Sequence, residues 1–375
     1  MKRTDFSVDW LFAACAPDTE LLPWNAQFTP VDLPHDWQIR HADDLYRDGT
    51  LFYRKYFFVT DVPGTRRMLW FGGAYMDTTV FVNGTEVGQW KYGYTSFWFD
   101  ITDALHEGQN EVLVRCNLRH PNSRWYSGAG LYRNVELWEA PDLHLMPDGL
   151  YVAAKEGDNG AWTVAVTAEA GSVTAASAGR TLTLHLTDDN GSLLGTAAIP
   201  ADAWAALPSP DGWRTGKETA IYKASHVFTL QDPALWDLDA PNFYHITAEL
   251  TGADGVTDTL TTRFGCRTIE ATPDCGLLVN HKRVLIKGVC IHHDFGCLGS
   301  AFEYSAAKRQ LEILKSMGVN SIRTGHTPPA PQFMDLADEM GILMDVESFD
   351  CWRSGKNPYD YGRFFDEWQE KDVAA

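Results

Sequence analysis

The sequence predicts a multidomain β plus α/β protein: a jelly-roll β-sandwich, then an immunoglobulin-like β-sandwich, then the first three β/α units of a parallel (β/α)8 barrel. Three observations lead there. Apolar and polar residues alternate with period two up to about residue 269, with turn signals roughly every ten residues. The pattern then switches to short apolar strands separated by amphipathic helices, as in a parallel sheet. A length of 375 residues also suits two or three domains of about 150 residues each.

Residues 1–140 form the first unit. LFYRKYFFV, MLWFGG, TTVFVNGTEVG and NEVLVRCNL read as short antiparallel strands, and no run is long enough for a major helix. Asn83-Gly84, between two apolar runs, supplies the positive φ values of a tight hairpin turn. Residues 141–269 form the second unit. AWTVAVTAEA, TLTLHLTDDNGSLLG, ASHVFTL and FYHITAEL are period-two strands there, and Asn190-Gly191 marks another hairpin. About seven strands in this length suit an immunoglobulin-like sandwich without its disulfide. Ala, Ser, Gly and Pro dominate residues 170–180 and 208–212, which reads as surface loops.

Residues 270–375 form the third unit. The hairpin LLVNHKRVLIKGV leads into a buried strand over residues 284–290. A helix over residues 304–317 puts Leu311, Leu314 and Met317 on one stripe and stops at Gly318. The strand SIRTGH, a helix over residues 330–340, the strand ILMDVES and a third helix from Gly362 follow. A whole barrel of this kind needs about 250 residues. The sequence is therefore expected to be the N-terminal portion of a longer enzyme, with the barrel truncated.

Composition narrows the function. Lys and Arg number 31 against 50 Asp and Glu, a net charge of −19 that disfavours phosphate backbones and anionic lipid surfaces. No nucleic acid and no membrane is expected as a partner, and no apolar run approaches the roughly 18 residues of a membrane span. The seven cysteines are odd in number, scattered and without a CxxC pair, and the apolar stretch after Met1 is too short for a secretory signal. A cytoplasmic location is expected. Cys290, His292, His293 and Cys297 match no standard zinc spacing, and neither metal nor cofactor is expected. There is no GxSxG, Walker loop or HExxH, and GAGLYR lacks the third glycine of a dinucleotide fingerprint.

LPHDW at residues 33–37, FYRKYF, VFVNGTEVGQWKYGYTSFWFDIT and SRWYSGAGLYRNVEL resemble the sugar-binding jelly roll of glycoside hydrolase family 2, which includes β-galactosidases and β-glucuronidases. VLIKGVCIHHDFG and NSIRTGHTPPAPQFMDLADEMGILMD resemble the start of that family's catalytic TIM barrel. The resemblance runs along essentially the whole chain. It implies retaining hydrolysis of terminal β-linked sugars, β-D-galactosides first, by two Glu residues with carboxyls about 5–5.5 Å apart. In the family the acid/base Glu ends barrel strand 4 and the nucleophile ends strand 7. Both segments fall beyond Ala375, so no catalytic residue is assigned and the chain is expected to be inactive alone. A carbohydrate is the expected partner, and the complete enzyme is expected to be homo-oligomeric.

By the same resemblance, this chain holds half of a sugar site, at the C-terminal ends of three barrel strands. His292 ends the first and offers hydrogen bonds to sugar hydroxyls. Arg323 and His326 end the second, and the guanidinium fork suits a carboxylate such as the nucleophile. Glu347 and Asp350 end the third, while Arg124, Trp125 and Tyr126 lean on the site from the jelly roll. Asp36 in LPHDW reads as a turn-stabilising carboxylate rather than a catalyst. The sequence departs from the family pattern where Gly325 replaces Ser, where Thr327 follows His326, and where Val346 takes an Asp position. Large metal-dependent β-galactosidases place a His two residues after a magnesium-binding carboxylate. Trp352 stands there after Asp350, so no magnesium site is expected. A non-catalytic carbohydrate-binding or assembly module is the alternative reading, and β-glucuronidase and β-mannosidase specificities stay open.

Overall fold

In the computed structural model, which describes all residues except 42, 61–63, 174–179, 208–216 and 254, the N-terminal alternation resolves into two facing antiparallel sheets. One has six strands, with Gly49–Val59 and Gly108–Leu118 paired along their whole length at its centre. The other has four, including Thr65–Phe71 and Val135–Pro141. Alternate residues point inward, so Leu51, Tyr53, Val112, Val114 and Cys116 are buried together with Trp10, Leu69 and Phe71. This is the expected jelly-roll sandwich. Asn83 and Gly84 have φ of 50° and 80° between Thr78–Val82 and Thr85–Trp90, which makes the tight turn.

The second sandwich pairs His144–Glu156, Ala161–Ser172, Ala220–Gln231 and Ala205–Leu207 in one sheet. Thr181–Asp188, Leu193–Pro200, Tyr244–Thr251 and Thr257–Phe264 form the other. Its core of Val164, Val166, Leu184, Leu186, Ile246 and Leu250 is held without a disulfide, because the cysteines are free. Asn190-Gly191 does join paired strands, but by a longer loop than a two-residue turn. Only Gly191 of that pair has positive φ, and Asp188 accepts from the backbone N–H of Asn190 and Ser192 at 3.0 and 2.8 Å. Of the two composition-based loops, residues 170–172 belong to a strand, and residues 174–179 and 208–212 lie outside the described residues.

In the third unit, Gly288–Ile291, Ser321–Thr324 and Leu343–Val346 form a parallel sheet in which Cys290, Arg323 and Asp345 are in register. Helices α1 (Tyr304–Ser316) and α2 (Pro331–Glu339) connect the strands, and α3 (Phe365–Ala374) follows. Val289, Ile322 and Met344 pack against Ala307, Leu311, Phe333 and Leu336 of the helices. Period two then sends Cys290, Arg323 and Asp345 to the opposite face.

Two expectations need correction. The first parallel strand starts at Gly288 rather than residue 284, because Leu285 and Ile286 lie between the two sheets and are 70% and 55% exposed. Met317 caps α1 rather than continuing its buried stripe, and it is 73% exposed; Ala307 and Leu311 carry that face.

The third unit leans on both sandwiches. Trp368 meets Trp90 edge-on at 5.6 Å, and Tyr361 and Phe365 join the jelly-roll core. Trp236 Nε1 donates to the Asp338 carbonyl in α2 at 2.9 Å. No described helix is long and apolar enough to cross a membrane.

Candidate functional site

Parallel strands bring the residues that follow them to one rim. The Gly325 N–H donates to the Ile291 carbonyl at 2.8 Å, which ties the second strand end to the first beside His292. His326 Nδ1 lies 2.7 Å from Glu347 Oε2 and donates to that carboxylate. Arg323 forms an ion pair with the other Glu347 oxygen, and its Nη1 donates to Cys290 Sγ at 3.4 Å. The Glu347 backbone N–H in turn donates to Thr324 Oγ1 at 3.3 Å. Glu347 thus ties the third strand end to the second, and Arg323 and Gly325 tie the second to the first.

The Gly325 departure has a local cause. A Cβ there would stand 2.7 Å from Cys290 Sγ, closer than real Cβ contacts come. The thiol fills the space that a serine would need.

The jelly-roll loop closes one side. Trp125 lies nearly parallel to the His292 ring, with centroids 5.6 Å apart and planes at 9°, and meets His326 at 5.4 Å and 61°. Arg124 Nη2 donates to Asp350 Oδ1 at 2.6 Å, and Lys356 Nζ donates to the same oxygen at 2.8 Å. Burial by itself would raise the Asp350 carboxyl. The bonds from Lys356 and Arg124 outweigh it and hold the group below the ordinary carboxylate range. With two cations on Asp350 and an indole at Trp352, this donor set does not suit a hard divalent ion. Among the described residues no group of three His, Cys, Asp or Glu is placed to hold a metal.

Arg124, Arg323, His326, Glu347, Trp352 and Lys356 line an open cleft of about 480 Å³. That falls within the roughly 300–1,000 Å³ of small-molecule sites. Of the residues expected at the site, Arg323, His326, Glu347, Asp350 and Arg124 line this cleft, while Trp125 and His292 adjoin it through ring contacts with His326 at 5.4 and 5.8 Å.

Tyr126 points elsewhere. Its hydroxyl donates to Asp36 Oδ2 at 2.6 Å, at the junction of jelly roll and barrel, rather than lining the cleft. His293 also turns away from His292. Its Nε2 donates to the Ser127 carbonyl at 2.9 Å, and burial lowers its pKa to about 4.

Sequence reasoning missed Lys356 and Cys290. Lys356 sits in a loop with no periodicity to place it. Cys290 was accessible, since it lies two residues before His292 on the strand face shared with Arg323.

Three glycosyl hydrolase family 2 profiles match in chain order: its sugar binding domain over residues 23–141, the family's own domain over 148–267, and its TIM barrel domain over 271–366. The chain is 35% identical over 99% of its length to the β-galactosidase BoGH2A of Bacteroides ovatus, of which it covers 44%. It is 27% identical over 86% of its length to a β-glucuronidase of Bacteroides fragilis, of which it covers 48%. The crystal structure of a glycosyl hydrolase family 2 member from Bacteroides cellulosilyticus matches all of this chain and 49% of its own, with a TM-score of 0.87 at 29% identity. The chain therefore spans less than half the length of these relatives. With three successive family domains matched along nearly all of it, the chain belongs to glycosyl hydrolase family 2.

Proposed function

We propose that this chain builds the substrate-holding half of a retaining β-glycosidase site, and that its sugar is a terminal β-D-galactoside. The observation that supports this most is that Arg323 and His326 line one cleft, with Trp125 and His292 packed against His326 beside it. An indole face suits the C–H surface of a pyranose, and imidazoles and a guanidinium suit its hydroxyls. Galactose is set before glucuronate because the β-galactosidase relative is 35% identical and a putative β-glucuronidase of Formosa agariphila 32%.

The cleft carboxylates are not poised as a catalytic pair. Glu347 is committed to Arg323 and His326, and Asp350 to Arg124 and Lys356. In the family's double displacement the attacking and proton-donating carboxylates then come from other residues, with Arg323 and His326 positioned to orient a carboxylate beside them. This chain holds the sugar without cleaving it.

The test is a panel of aryl β-D-galactoside, β-D-glucuronide and β-D-mannoside presented to the 375-residue protein. Saturable binding, tightest for the galactoside, without release of the phenol is expected. Phenol release by pure protein, or no binding of any of the three, contradicts the proposal.

A further inference from the structure

Asp36 lies outside the cleft, yet its carboxylate joins the two units that form it. The residue is 2% exposed. Its Oδ1 accepts the backbone N–H of Gln38 at 2.9 Å and of Ala129 at 3.1 Å. Its Oδ2 accepts the Tyr126 hydroxyl at 2.6 Å and both the N–H and the hydroxyl of Ser300, at 2.8 and 3.0 Å. Tyr126 and Ala129 belong to the jelly-roll loop that carries Arg124 and Trp125. Ser300 belongs to the barrel loop that leaves His292.

The backbone is shaped around this group. A Cβ on Gly128 would stand 2.8 Å from Asp36 Oδ2, and Gly299 leaves still less room on the barrel side. A buried carboxylate is costly unless it is bonded, and bonds to an ionised acceptor are short and directional. One oxygen serves the jelly roll alone, and the other serves both units. Rotation or sliding of the loop against the barrel would break the second set.

We propose that Asp36 is a positioning residue of the sugar site, setting residues 124–128 against the barrel rim so that Trp125 lies flat on His292 and Arg124 reaches Asp350. Its consequence for sugar rests on the reading above; its consequence for the Trp125–His292 stack does not.

Three variants of the 375-residue protein test this. In Asp36→Asn the amide can accept at only one position, so whichever way it turns an NH2 group meets backbone N–H donors. Ser300→Ala and Tyr126→Phe each remove a bond at Oδ2 and leave Gln38 and Ala129 bonded. Two quantities are measured: affinity for methyl β-D-galactoside, and near-ultraviolet circular dichroism. An indole held flat on one ring by a fixed loop gives a chiral band, which its loss in Trp125→Phe identifies.

Asp36→Asn is expected to lose that band and to bind sugar about tenfold more weakly, and the other two about threefold, with the far-ultraviolet circular dichroism unchanged. A folded Asp36→Asn with band and affinity intact overturns the proposal. Should Asp36→Asn not fold, wild-type values in both Ser300→Ala and Tyr126→Phe overturn it equally. A band lost in Asp36→Asn, in a protein that binds no sugar even as wild type, supports the positioning role and defeats only the sugar reading.

Discussion

Trp125 of the jelly roll lies 9° from the plane of His292 at the barrel rim, with ring centroids 5.6 Å apart. An indole from one domain is thereby fixed by an imidazole from another, and both contact His326, which lines the cleft. Trp125→Ala is expected to weaken methyl β-D-galactoside binding about tenfold, ~1.4 kcal/mol, the scale of one aromatic contact. Titration calorimetry checks it, and unchanged affinity would remove Trp125 from the site.

Arg323→Lys keeps the charge but loses the fork that meets Glu347 and Cys290. Because the Arg323–Glu347 pair is 42% and 27% exposed, it contributes little to folding, and the melting temperature should barely move. Sugar affinity should fall about tenfold. A large drop in melting temperature with affinity intact would make the pair structural instead.

Gly325→Ser drives its Cβ into Cys290 Sγ, 2.7 Å away, and should destabilise the fold by about 1–3 kcal/mol. Adding Cys290→Ala makes room and should recover most of the loss. Urea unfolding of the two variants measures this. If the second substitution deepens the loss, the steric account of the missing serine is wrong.

His293 and His35 are both lowered to about 4, by burial in each case, with Arg40 adding to the effect at His35. In the unfolded chain they titrate near 6.5. Above that pH both states are neutral and stability is whole. As pH falls from about 6.5 towards 4, the unfolded chain takes up protons that the folded one refuses. Stability then declines by about 1.4 kcal/mol per pH unit for each group, ~3 kcal/mol apiece at most. Urea midpoints measured across this window should fall more steeply for wild type than for His293→Gln; parallel curves would show that His293 is not held neutral.

Phe365 of α3 is 4% exposed and sits in the jelly-roll core. Phe365→Ala should cost about 3–5 kcal/mol in urea denaturation, as buried aromatic truncations do. A cost below about 1 kcal/mol would mean that α3 does not dock as described.

The jelly-roll and immunoglobulin-like strands could be read from the sequence because one face of each sheet is buried, which imprints period two on residues such as Leu182, Leu184 and Leu186. His292, Arg323 and His326 could be placed at one rim because each ends an apolar strand followed by a helix or loop. Where no period operates, direction was not readable. Arg124, Trp125 and Tyr126 are consecutive, yet the first two meet Asp350 and His292 and the third meets Asp36. Element ends were equally opaque, as Met317 and residues 284–287 show. Ser300, the barrel-side partner of Asp36, lies 264 residues away, a contact that only the packing of two domains creates.

The central claim is that the cleft lined by Arg323 and His326, with Trp125 and His292 packed against His326, holds a pyranose. Crystals of the 375-residue protein soaked in methyl β-D-galactoside test it most directly. The account predicts difference density for one sugar ring within hydrogen-bond reach of His292, Arg323 or His326. An ordered sugar bound elsewhere, with this cleft holding only water, would contradict it.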